Sequence, residues 1–228
     1  MTFCGYSYGS FMKRDAVFLR FLAAVVGVIF SISSFAQRLP DFEDIKAGDV
    51  IQYSLKIPGK SESFEYQITE ASSLGLKGLV VRGMRSNEFT APQNGYLEKE
   101  FCFVDGQKCS WSPAVKFFDG GMKVGDKWKS SYVVTTEEAL VDQSIEHKVE
   151  KFEKIKIKLG EFETYRVFAS GPMKATLFKN NEVFKGSLKM TYWVGVFNKR
   201  LVILKREYSN DFRQSFSQEL QSVTVKSE

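Results

Sequence analysis

The chain of 228 residues contains one histidine, three cysteines and 27 acidic residues, and the chemistry open to it follows from that inventory. His147 is the one side chain whose ordinary titration suits a general base at neutral pH. It sits in Ile145-Glu146-His147-Lys148-Val149. In an extended segment Ile145 and Val149 share its face, which points to a histidine set into the apolar side of a sheet. Serine hydrolysis would need that histidine beside a nucleophile, and no Gly-x-Ser-x-Gly elbow is present to supply one. Two carboxylates suffice for a glycosidase, but Glu137-Glu138 and Glu161/Glu163 fall at expected turn and edge positions. With one histidine and no Cys-x-x-Cys spacing, the sequence offers no metal-ligand set and calls for no cofactor.

Three groups of residues suit binding or bracing better than catalysis. Cys102 and Cys109 flank Asp105-Gly106, a strong hairpin signal. With Asp105 and Gly106 as the two turn residues, Cys102 faces Cys109 across the ladder, within disulfide reach. Lys154, Lys156 and Lys158 alternate with Ile155, Ile157 and Leu159, a ladder able to meet anionic headgroups or acidic glycans, or simply to keep a strand edge solvated. Trp111, Trp128 and Trp193 with Tyr53, Tyr132, Tyr165 and Tyr192 can line a ligand cavity or fill a core. Gly120-Gly121-Met122-Lys123-Val124-Gly125-Asp126-Lys127 is glycine-rich, yet a phosphate loop opens a helix. Here Trp128 to Val134 continues as strand.

The elements that must position these residues read as strands. Ile51, Tyr53, Leu55 and Ile57 alternate with Gln52, Ser54 and Lys56, and Phe64, Tyr66 and Ile68 alternate with Glu65, Gln67 and Thr69. Pro58-Gly59-Lys60-Ser61 turns one run into the other. Further strands are expected at 76–82, 97–104, 107–111, 128–136, 144–159, 162–170, 173–179, 183–196, 200–209 and 212–225. Helical spacing is confined to two short stretches, Asp41 to Lys46 and Glu137 to Ser144. Without long helices there are no crossovers for a parallel nucleotide-binding sheet. The fold class is therefore all-β: a curled antiparallel sheet, or a two-layer β-sandwich or half-barrel, with few short helices.

Before this domain lies an address. From Met12 a basic start, Lys13-Arg14, leads into an uncharged run from Phe21 to Phe35 that ends in Ser34-Phe35-Ala36. This is the pattern of a secretory signal peptide over residues 1–36, cut after Ala36. Residues 1–11 carry no charge, so Met12 is an alternative start. The mature domain is then 37–228, exported to the periplasm, where an oxidising environment suits the cysteine pair. Cleavage removes two of the five net positive charges. The modest excess that remains does not imply nucleic acid as a partner.

Three strings read together: Lys123-Val-Gly-Asp-Lys-Trp128, then Phe152-Glu-Lys-Ile-Lys-Ile-Lys-Leu-Gly-Glu-Phe-Glu-Thr-Tyr-Arg-Val167, then Met190-Thr-Tyr-Trp and Leu201-Val-Ile-Leu-Lys-Arg-Glu207. Their order resembles exported bacterial β-rich domains of unknown function, which are similar in shape to lipoprotein-carrier (LolA-like) folds. The resemblance covers roughly residues 120–208 and brings no catalytic residue with it. It supports the fold and the compartment, while the export signal, the cysteine pair, the all-β pattern, the aromatic content and the lack of a catalytic constellation point to a non-enzymatic envelope protein that binds a hydrophobic ligand, a lipid or an envelope protein on its sheet, touching the membrane only through its signal segment or peripherally. The alternatives are a scaffold that pairs through sheet edges and a carboxylate-based carbohydrate-active enzyme.

Overall fold

The structure, a computed structural model, describes residues 38–226 except 74, 92–95, 102–107 and 119. The expected signal segment, Cys102 and the expected turn at Asp105-Gly106 lie outside the described residues. Twelve strands follow in order: β1 (Val50–Ile57), β2 (Lys60–Ser72), β3 (Gly75–Arg82), β4 (Arg85–Ala91), β5 (Tyr96–Phe101), β6 (Lys108–Lys116), β7 (Lys127–Thr135), β8 (Ala139–Ile157), β9 (Gly160–Leu177), β10 (Val183–Phe197), β11 (Arg200–Asn210) and β12 (Ser215–Thr224). Each pairs antiparallel with the next, and β1 also pairs β12, so the order of pairing returns on itself. The ring is uneven. Between β4 and β5 the ladder shrinks to Thr90 opposite Lys99, and β6 meets β7 through three pairs. The architecture is thus a strongly curled antiparallel sheet with a thin seam, within the all-β class expected from the pattern.

Alternation explains most of the burial. Ile51, Tyr53 and Leu55 of β1 are buried while their neighbours are not, and β8 repeats this with Ile145, His147 and Val149. Ile145 and Val149 join one large apolar cluster around Tyr132, Val167, Tyr192 and Val194. A second cluster joins Tyr53, Leu55 and Leu220 to Val202 and Leu204. Arg200 to Leu204 contribute to burial on both faces of β11.

A bulge in β11 makes this possible. Trp193 registers with Lys205 but Val194 with Ile203, so Leu204 is the extra residue. Leu201 and Ile203 thereby share the interior with Arg206 and Tyr208 despite the change of parity. A further bulge at Glu150 flips β8, after which Ile155 and Ile157 pack toward the second cluster.

Three expectations are corrected. Asp41 to Lys46 is not helical: Leu39, Phe42 and Ile45 have helix-like spacing because each enters the core from an irregular strap. Glu43 N–H donates to Lys199 O in that strap. Glu137 to Ser144 is a turn running into β8. The backbone N–H groups of Glu138 and Ala139 donate to Thr136 Oγ1, at 3.1 and 2.9 Å, and this reverses the chain from β7. Finally, 162–170 and 173–179 are one strand. Pro172 does not break β9 because Gly171 closes on Ser144 O, where an added Cβ would lie 1.9 Å away, and the β8 ladder skips Ser144 and Ile145.

Candidate functional site

One end of the curl is hollow. A cavity of about 570 Å³ lies between β6–β12, within the range of roughly 300–1,000 Å³ typical of small-molecule sites. Its walls are mainly apolar: Trp111, Val134, Ile145, Met173, Leu188 and Met190. Strand register gives it a direction. Phe184 lies near the start of β10 and is 41% exposed, as befits a mouth, whereas Leu188 and Met190 farther along the same strand are buried. Phe212, in the turn between β11 and β12, meets Phe184 edge to face at 6.5 Å. The mouth is bordered by exposed Leu140, Phe178 and Val183.

The deep end is polar as well as apolar. Arg206, opposite Tyr192 on β10 and Gln218 on β12, is 4% exposed and lines the wall. Its Nε and Nη2 donate to Gln218 Oε1 at 3.1 and 2.5 Å. The rings of Phe216 and Phe117 lie 5.3 and 5.6 Å from the guanidinium carbon. Phe117 and Arg206 also line a smaller cavity of about 100 Å³, so they act as the partition between the two hollows. Tyr132 and Tyr208 are the phenols of the large cavity. Burial pushes the Tyr132 hydroxyl well above its usual range, nearby Tyr208 adds to this, and Arg206 opposes it. Asn210 Nδ2 donates to Tyr208 Oη at 2.9 Å.

Behind the partition stands a polar column. Tyr192 donates its hydroxyl hydrogen to Phe117 O at 2.5 Å, so the 3.0 Å contact with His147 Nδ1 must have the imidazole as donor. Nε2 is then the unprotonated nitrogen, and it lies buried without a hydrogen-bond partner. His147 stacks on Trp128, 4.9 Å between centroids and 3° apart, and Trp128 Nε1–H donates to Lys116 O. Burial holds the His147 pKa down to about 4.

The seven aromatic candidates are therefore dispersed. Trp111 and Tyr132 line the large cavity and Tyr53 the small one. Trp128 and Tyr192 belong to the column. Tyr165 packs on Phe152, and Trp193 turns to the other face, where its Nε1–H donates to Glu153 and Lys205 Nζ lies 4.8 Å from its ring. Arg206, Tyr208, Phe184 and Phe212 are cavity residues that alternation alone does not select. Lys154 and Lys156 register opposite Glu163 and Glu161, and Lys158 N–H donates to Glu219. The lysine face thus alternates in sign across the ladder. Cys109 is buried on β6, where its ladder partner is Glu100, and the Cys102 half of the expected pair lies outside the described residues.

No protein-family profile matches the chain, and no curated protein is similar to it in sequence. Among solved structures, one aligned at a TM-score of 0.50 shares its fold. A candidate exported protein with a YmcC-like fold from Bacteroides fragilis aligns at a TM-score of 0.50 and 13% identity, covering 81% of this chain and 99% of its own. A candidate lipoprotein from Parabacteroides distasonis aligns at 0.47 and 15% identity, covering 82% and 99%. The hypothetical lipoprotein YmcC from Escherichia coli aligns at 0.42 and 10% identity, covering 96% and 100%. The first of these agrees with the resemblance to exported β-rich domains of unknown function that the sequence suggests.

Proposed function

We propose that this protein is a non-enzymatic envelope protein that, once exported to the periplasm, holds a hydrophobic molecule inside its curled sheet. The observation that carries this reading is the cavity of about 570 Å³, open past Phe184 and walled by apolar side chains. A filled core would have favoured a scaffold. Burial of an acyl or ring system there would be driven by about 25 cal/mol for each Å² of apolar surface removed from water. The basic start and apolar run before Ala36 support export. A fold shared with a protein described as a candidate for export is in keeping with it.

The test is direct. The purified protein should bind the neutral fluorophore N-phenylnaphthylamine with enhanced emission, and Ala175→Phe, which fills the cavity from one wall, should weaken binding by about tenfold or more while the melting temperature is kept. Native mass spectrometry after gentle purification should show an added apolar mass. A wild-type protein that neither binds the fluorophore nor carries such a mass would overturn the reading.

A further inference from the structure

The rows of side chains that face the cavity from β7 to β10 differ in chemistry. In the row next to the mouth Val134, Val141, Ala175 and Phe184 register in line, and all four line the hollow. Two residues deeper the same ladders align Tyr132, Gln143, Met173 and Gly186. A phenol and a carboxamide thus stand side by side on adjacent strands, while the ring of Phe212 packs where a side chain on Gly186 would be. Beyond this row Ile145 and Leu188 make the wall apolar again. We propose that the ligand carries an uncharged carbonyl within its chain, as in an ester or a secondary amide, and that this oxygen accepts hydrogen bonds from Tyr132 and Gln143 while its two apolar arms lie toward Phe184 and toward Leu188. The proposal rests on the cavity being an apolar-ligand site, and deepens that reading by naming the polar group and its place along the wall.

Three features support it. Tyr132 is 8% exposed and Gln143 half-buried, and both line the cavity. Among the described residues, neither the hydroxyl nor the carboxamide makes a hydrogen bond within the protein. Buried polar groups are ordinarily paired, so two that face a hollow with their donors unused mark where a ligand supplies the acceptor. The second feature is position. The polar row lies between apolar rows, so a group inside a chain leaves apolar surface to be covered on both sides, whereas a terminal head covers one side alone. The third is charge. Phenol and carboxamide are both neutral, and burial keeps Tyr132 protonated and hence a donor. A carbonyl oxygen has two lone pairs and can take one hydrogen from each. An ionised head would have to leave water for two neutral partners. Arg206 is already engaged by Gln218 and by the rings of Phe117 and Phe216, and it has no part in this site.

The experiment uses displacement of bound N-phenylnaphthylamine by hexyl hexanoate, N-hexylhexanamide, lauryl alcohol and lauric acid, molecules of similar length that differ in the kind and place of their polar group. The ester or the amide should compete about tenfold or more better than the alcohol and the acid. The amide adds an N–H that Gln143 Oε1 can accept, so whichever of the two is stronger identifies the linkage. Tyr132→Phe and Gln143→Met each remove one donor at nearly constant volume. With every constant corrected for the variant's own affinity for the fluorophore, each should cut the advantage over the alcohol by about threefold or more, and the double variant should bring it to within about twofold of none. Neither donor is used in the fold, so the melting temperature should not fall in either single variant. Equal competition by all four molecules in the wild type, with the fluorophore still bound, would overturn this inference and leave the cavity reading standing. So would an acid that outcompetes both carbonyl compounds, or an advantage that survives in the double variant. Failure to bind the fluorophore at all would instead strike the cavity reading itself.

Discussion

Tyr192 has a single hydroxyl hydrogen, and giving it to Phe117 O fixes the tautomer of His147 two strands away. The imidazole is therefore neutral with Nε2 bare, in surroundings that disfavour charge. The folded protein keeps it unprotonated down to about pH 4, whereas an unfolded chain takes the proton near 6.5. In the window between, the unfolded state binds more protons, so stability falls as pH falls, by on the order of 3 kcal/mol across the window. Denaturant unfolding at pH 7.5 and 5, for wild type and His147→Phe, checks this. The variant should lose most of the excess pH dependence, and identical pH dependence in the two proteins would refute it. The environment of this residue was readable from Ile145 and Val149 alone, because alternation decides which face a strand residue takes. The roles of Trp128 and Trp193 were not readable. Both are large aromatics in strands, and whether one stacks on a buried histidine or lies on the opposite face depends on partners far away in sequence.

Among the elements, the strap from Leu39 to Asp49 shows how little local pattern constrains an irregular segment. It is pinned to β11 by Arg200, which is 1% exposed and donates through Nε to Asp49 at 2.6 Å and through Nη1 to Glu43 at 2.9 Å. Hydrogen bonding to Asp49 is the main cause that holds the guanidinium above its ordinary value. The two contacts differ in depth. Asp49 is fully buried, so Asp49→Ala strands a buried cation and should cost about 3–5 kcal/mol. Glu43 is 44% exposed, and Glu43→Ala should cost far less, since solvent screens its side of the pair. Equal losses in thermal or denaturant unfolding would show that the strap is not anchored where the geometry places it. Sequence periodicity located most strands but missed β4, in which only Phe89 and Ala91 are buried. It also passed over Arg206 and Tyr208 as interior residues. Their inward orientation depends on the extra residue at Leu204, and a bulge leaves no mark in local composition.

At the scale of the whole molecule, closure and cross-linking decide whether the hollow keeps its shape. Cys109 lines the cavity and is held in a disulfide. Cys102 is the expected partner, since Cys4 belongs to the segment that the sequence pattern expects to be removed on export. Thiol labelling of the mature protein under denaturing, non-reducing conditions should then modify no cysteine, and reduction should lower stability by about 2–3 kcal/mol for so short a loop. Labelling of both cysteines without reductant would exclude the bond and weaken the assignment to an oxidising compartment.

The pairing of β1 with β12 also imposes an order in time. Val50 meets Thr224, nearly the full length of the described residues away, and such distant contacts form late because the loop they close is long. Until β12 arrives, β1 and β11 each expose an open edge. Phe216 and Gln218, which complete the wall and hold Arg206, both belong to that last strand. The cavity is thus the final part of the molecule to come into being, and a nascent or truncated chain lacks the hollow that the proposed ligand would enter.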